Sequence, residues 1–177
     1  MSFKRLAPVT DKLVETLEQK ADAFETLESL FERQLDALRN GEPDALAALT
    51  TQTQEHTAAL DELRQTYRRQ ARLLTRVLEL DADDPSLQDL IDALEAHGAP
   101  EASTQLERAR AAVTDRAEAA QAKNDTLQFA LEHAAGLNHE LLAAVQEAAA
   151  DPDSRTYTAD GTTQSGGGEH SLVNTIG

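Results

Sequence analysis

NDTLQFALEHAAGLNHELLAAVQEAAA, residues 124–150, carries the pattern from which the fold is read. At about 100° per residue, Leu127, Leu131, Ala134, Asn138, Leu141, Leu142 and Val145 fall on one stripe of a helix. Glu132, His139, Glu140 and Glu147 lie away from it. Such a stripe has to be covered, either by the chain's own helices or by those of a partner. Phe129 breaks the pattern, sitting about 200° from Leu127 on the wheel, on the side of Gly136 and Ala143. Either a second neighbouring helix covers it, or it is an anchor for a partner of the kind that dominates interfaces.

The chain around this stretch has 177 residues, enough for one domain with a modest core. Aromatics make up 3 % and Trp is absent, while Ala and Leu abound, a composition that suits closely packed helices. Period-two runs of β-branched residues are scarce, so strands are not expected. A formal net charge of −16 argues against a nucleic-acid-binding surface and against adhesion to anionic membranes. Without cysteine there is no disulfide and no thiolate chemistry. The opening MSFKRLAPVTDK has cations but no apolar run, so it does not read as a signal peptide. No stretch approaches the ~18 apolar residues of a membrane span. The sequon Asn124-Asp125-Thr126 reads as a chance match, and the expected location is the cytoplasm.

Upstream, a first helix is expected from about Val9 to Arg39, capped by Thr10 or a near neighbour. Leu13, Leu17, Phe24, Leu27, Phe31 and Leu38 recur at three- and four-residue steps, with Leu30 and Leu35 widening the stripe. Lys20 falls inside that seam, where its stem can pack while its amine reaches water. Asn40-Gly41 supplies a left-handed C-cap, and Pro43 opens a second helix running to about Leu80. The seam of that helix is Leu46, Leu49, Thr53, His56, Leu60, Leu63, Tyr67, Gln70, Leu74 and Val77. The short turn makes the two helices an antiparallel hairpin. Arg64, Arg68, Arg69, Arg72 and Arg76 gather in the last third of the second helix. They read as charges suited to a helix C-terminus and to acidic neighbours, or as a patch for an acidic partner.

In DADDPSL, Asp84 is the expected N-cap and Pro85 the first residue of a short third helix bearing Leu87, Leu90, Ile91 and Leu94. His97-Gly98-Ala99-Pro100 ends it and starts a last long helix to about Ala150. From Glu101 to Lys123 that helix is thinly apolar, with Leu106, Ala109, Val113 and Ala120, and is expected to be the least firmly held part. The whole reads as all-α: an elongated antiparallel helical bundle or coiled-coil hairpin with a long C-terminal helix over residues 1–150. Residues 151–177, rich in Ser, Thr and Gly, read as a flexible tail with apolar islands at Tyr157 and at Leu172, Val173 and Ile176.

Catalytic chemistry is nearly absent from this pattern. None of the five histidines has a carboxylate three residues before it, as a Glu-x-x-His metal site requires. His133 and His139 point about 120° apart, and His56 reads as an interior residue of the second seam. Gly166-Gly167-Gly168 lies in the tail, not between a strand and a helix. No catalytic, metal or cofactor residue is expected, and the chain does not read as an enzyme.

Four segments in order resemble the FlgN family of flagellar export chaperones: LFERQLDALRNGEPDALAAL at the hairpin, QTYRRQARLL, AKNDTLQFALEHAAGLNHELLAAV, and a tail beginning TYTADG. The resemblance spans about residues 5–161 and includes the spacing from Tyr157 to Gly161. It implies a cytosolic chaperone without nucleotide. Its clients would be the C-terminal helical segments of hook-associated proteins, those of the hook–filament junction, which it delivers to the export gate. Client binding would fall on the late helix, with Leu127, Leu131, Leu141, Leu142 and Val145, and gate docking on Tyr157; Phe129 is the further anchor candidate. The competing reading is a self-associating coiled-coil or adaptor protein, for instance a homodimer, whose stripes are covered by its own copies. An amphipathic protein that binds membrane surfaces is a third, disfavoured by the charge.

Overall fold

A computed structural model of the protein describes residues 3–80 and 85–150. They form four helices and, among the described residues, no strand: α1 (Phe3–Asn40), α2 (Pro43–Val77), α3 (Leu87–Ala96) and α4 (Pro100–Ala150). The chain divides into two units, Met1–Leu131 and Glu132–Gly177, with the division inside α4. The expected tail lies outside the described residues.

α1 begins before Val9, at Phe3, and runs through Pro8. Proline removes one backbone donor and crowds the preceding turn, but burial of Leu6 in the core holds the first turns helical. Thr10 is therefore not a cap. Its side chain is fully buried, and its hydroxyl donates to the Leu6 carbonyl at 3.1 Å. Thr75 does the same to Ala71 at 2.8 Å, so a buried hydroxyl is satisfied without a partner helix.

The three helix ends within the first unit share one device. At Gly41, Glu79 and Gly98 the backbone turns left-handed, with φ of 69°, 53° and 74°. The amide of that residue and the one after it reach back to the last turn: Gly41 to Leu38 and Glu42 to Ala37, Glu79 to Arg76 and Leu80 to Thr75, Gly98 to Glu95 and Ala99 to Leu94. This is the paired bonding that satisfies orphan carbonyls at a helix C-terminus. At Glu79 it ends α2 at Val77, three residues short of Leu80, without the usual glycine. The N-cap of α3 is Ser86, not Asp84, which lies outside the described residues. Ser86 accepts from the Asp89 amide at 3.2 Å, and the Asp89 carboxylate accepts from the Ser86 amide at 2.8 Å. This reciprocal box fixes the start two residues past Asp84.

Paired side chains give the helix directions. Gln34 donates to Thr53 at 2.9 Å and Lys20 lies over Tyr67, so α1 and α2 run antiparallel. Ser103 donates to Glu95 at 3.2 Å and Arg110 donates to Gln88, which makes α3 and the start of α4 antiparallel as well. Arg116 meets Glu25 at 3.2 Å and Lys123 meets Glu32 at 3.0 Å. Numbers rise together there, so α4 runs parallel to α1. In that register α1 reaches its end, Asn40, level with Leu131.

Two apolar clusters fill the first unit. One joins Leu6, Leu13 and Leu17 to Leu74 and Leu78, to Leu90, Ile91 and Leu94, and to Leu106 and Ala109. The other, toward the α1–α2 turn, holds Leu27, Leu30, Ala37 and Leu49 with Phe24, Phe31 and Leu60 against them. The Ala-rich start of α4, expected to be loosely held, is instead firmly packed: Ser103, Leu106, Ala109 and Ala120 are all buried. Small residues let the helix axes approach, and the few leucines are then wholly enclosed. His56 is exposed, not interior: it lies between Leu49 and Leu60 in a stretch of α2 whose residues are mostly exposed.

Candidate partner-binding surface

Along α4 the burial changes at one place. Leu127, one of the expected partner residues, is 5 % exposed and lies in the core. Leu131, at the end of the first unit, is 40 % exposed. In the second unit Leu137, Leu141, Leu142 and Val145 are exposed by 48 %, 64 %, 62 % and 64 %. The apolar register begun by Leu127 therefore continues after the packing has stopped.

Helical geometry sets the shape of this surface. Leu137, Leu141 and Val145 follow one another at four-residue steps, and Leu142 stands beside Asn138 on the adjoining row. Together they make an apolar strip about two to three turns long. Leu137, which the wheel left at the strip's flank, was missed in the sequence reading; its four-residue spacing to Leu141 was the available signal. The backbone holds its helical form through the composition, since Ala, Leu, Glu and Gln dominate and each has high helix propensity. These exposed apolar side chains follow one another along the helix and are not scattered singly over the surface.

Phe129 is 71 % exposed. Gly136, about 180° from Leu127, has open space where a Cβ would stand. Tyr157 lies outside the described residues.

Among the described residues no three metal-ligating side chains come together. His97 is engaged with the Ala93 carbonyl at 2.7 Å. Two open grooves between α1 and the start of α4 are lined by Leu6, Asp11, Glu15, Glu18, Gln105 and Arg108 among others. Lys20 is half-buried with its amine 5.4 Å from the Tyr67 ring centroid. Burial, and then the Arg64 charge, hold its pKa below the ordinary lysine range. The hydrogen bonds from Ser86 hold the Asp89 carboxyl below its ordinary value. No helix of the described residues is long and apolar enough to cross a membrane.

Comparison with known proteins gives one result. The family model described as FlgN protein matches residues 1–165. No curated protein and no solved structure matches the chain.

Proposed function

From the premise that the chain belongs to the FlgN family, a family of flagellar export chaperones and not of enzymes, we propose that it binds hook-associated proteins through the late part of α4. In this reading Leu131, Leu137, Leu141, Leu142 and Val145 receive an amphipathic C-terminal helix of the client in the cytoplasm. The chaperone keeps that helix from assembling prematurely and brings it to the export gate. The observation that supports this reading is the exposure of Leu137, Leu141, Leu142 and Val145 along the late part of α4.

The physical reason is that the client's own assembly surface is apolar and helical. A helix laid along another helix is read through residues three and four apart, which is the spacing offered here. Full burial of a leucine or valine contributes roughly 1.5–3 kcal/mol, and association itself costs about 4–15 kcal/mol. Five such side chains therefore support binding that is specific yet releasable, as a delivery step requires. Phe129 is a secondary anchor and Tyr157, within the matched residues, the gate contact.

Titration calorimetry with the C-terminal helical segment of a hook-associated protein from the same organism tests the proposal. Leu137→Ser, Leu141→Ser and Val145→Ser together should abolish binding with an unchanged helical spectrum. Retained binding would sink it. Sedimentation of the free protein addresses the competing occupant, a second copy: a dimer that these substitutions dissociate, with client affinity untouched, would transfer the strip to self-association.

A further inference from the structure

We propose that the arginine stripe on the second half of α2 is a separate docking surface, shaped for an acidic amphipathic helix of a partner protein. Between Leu63 and Leu78 there are five arginines and no acidic residue, in a chain with 32 acids and 16 bases. Arg64, Arg68, Arg72 and Arg76 recur every four residues and so climb one side of the helix, with Arg69 at its border. All five are exposed.

Across the bundle Arg116 pairs with Glu25 and Lys123 with Glu32. On α2, Arg64 approaches Asp61 at 3.7 Å, and Arg69 donates to the Gln65 carbonyl and the Thr66 hydroxyl. Arg68, Arg72 and Arg76 make no ion pair or hydrogen bond among the described residues. Like charges four apart destabilise a helix, and the two steps from Arg68 through Arg72 to Arg76 follow one another without an ion pair among the described residues. Leu73, 51 % exposed, adjoins Arg69, Arg72 and Arg76 and gives the stripe an apolar edge.

Charge complementarity therefore selects an acidic occupant, and Leu73 selects one with an apolar side chain beside its acids. The stripe from Arg64 to Arg76 is roughly 18 Å long, the reach of a short helix. A long polyanion would extend over the acidic remainder of the surface and come within a Debye length, about 8–10 Å at physiological salt, of carboxylates that repel it. A peptide helix stays within the stripe.

Calorimetry on the full chain decides the matter. The probe is a capped helical peptide of about four turns with glutamates at four-residue steps and leucines flanking them. A peptide of equal composition with the glutamates spread around the helix, and a single-stranded oligonucleotide, are the comparisons. The patterned peptide should bind best, and more weakly as salt rises. Arg68→Glu with Arg72→Glu should lower its affinity about tenfold or more, and Leu73→Ser by a smaller factor. If the double reversal disturbs the circular dichroism spectrum, Arg68→Gln with Arg72→Gln serves instead, with the same direction expected. Leu141→Ser with Leu142→Ser should leave this binding unchanged, separating it from the α4 strip. Equal binding of the scrambled peptide, tighter binding of the oligonucleotide, or affinity indifferent to the arginines would each overturn the proposal.

Discussion

Glu79 shows how one residue sets the end of a helix against its own preference. It occupies the left-handed position that Gly41 and Gly98 fill at the other two turns, where a side chain costs on the order of 1 kcal/mol. Glu79→Gly is expected to raise the unfolding free energy by about 0.5–1 kcal/mol in denaturant titration, and a loss of stability would mean that the carboxylate is used. Lys20 is a second strained residue, in charge and not in backbone. The Tyr67 ring attracts its amine, but burial and Arg64 leave its pKa depressed. The sign of the pH effect follows from proton counts. Between the folded and unfolded pKa the unfolded chain still holds the proton that the folded protein has released, so stability rises with pH. The penalty is fully present at neutral pH. Relative to Lys20→Met, the wild type should gain stability as pH climbs toward the ordinary lysine value, and parallel curves for the two proteins would contradict this.

At the scale of elements, α4 is one helix with two kinds of residue environment. Leu106 is enclosed by the larger apolar cluster, and Leu106→Ala should cost about 2–5 kcal/mol in thermal or denaturant unfolding. Leu141→Ser and Leu142→Ser should cost little, because both side chains are exposed already. The reverse ranking would place the late stripe in a core. The helices were legible from the sequence because caps and periodicity are local: Asn40-Gly41, Pro43 and Gly98-Pro100 mark boundaries that the structure keeps. Thr10 and His56 were not legible. A threonine before a helical run looks like a cap whether or not the chain behind it is already helical, and only the burial of Leu6 decides. His56 shows that a position read as seam can lie level with a neighbouring helix, as the Gln34–Thr53 pair requires, and still be exposed. The packed state of the thin stretch around Leu106 was misread because alanine's small area hides how closely two axes can approach.

For the whole molecule, the sequence offered a stripe from Leu127 to Val145 without saying where its own bundle stops using it. The parallel register of α1 and α4 supplies that boundary: α1 ends level with Leu131, and the apolar pattern of α4 goes on through Val145. Of the assigned partner residues, Leu127 belongs to the core, Leu131, Leu141, Leu142, Val145 and Phe129 are exposed, and Tyr157 lies outside the described residues. The division of α4 between folding and binding is the central claim, and hydrogen exchange reads it directly. A helical segment held mainly by its own propensity exchanges fast, and a client helix laid along it should slow it. Exchange of the full chain, measured with and without the C-terminal segment of a hook-associated protein, should show new protection over residues 134–147 and almost none in α2 and α3. Protection confined to α1–α3, with the late part of α4 exchanging as in the free protein, would contradict the account.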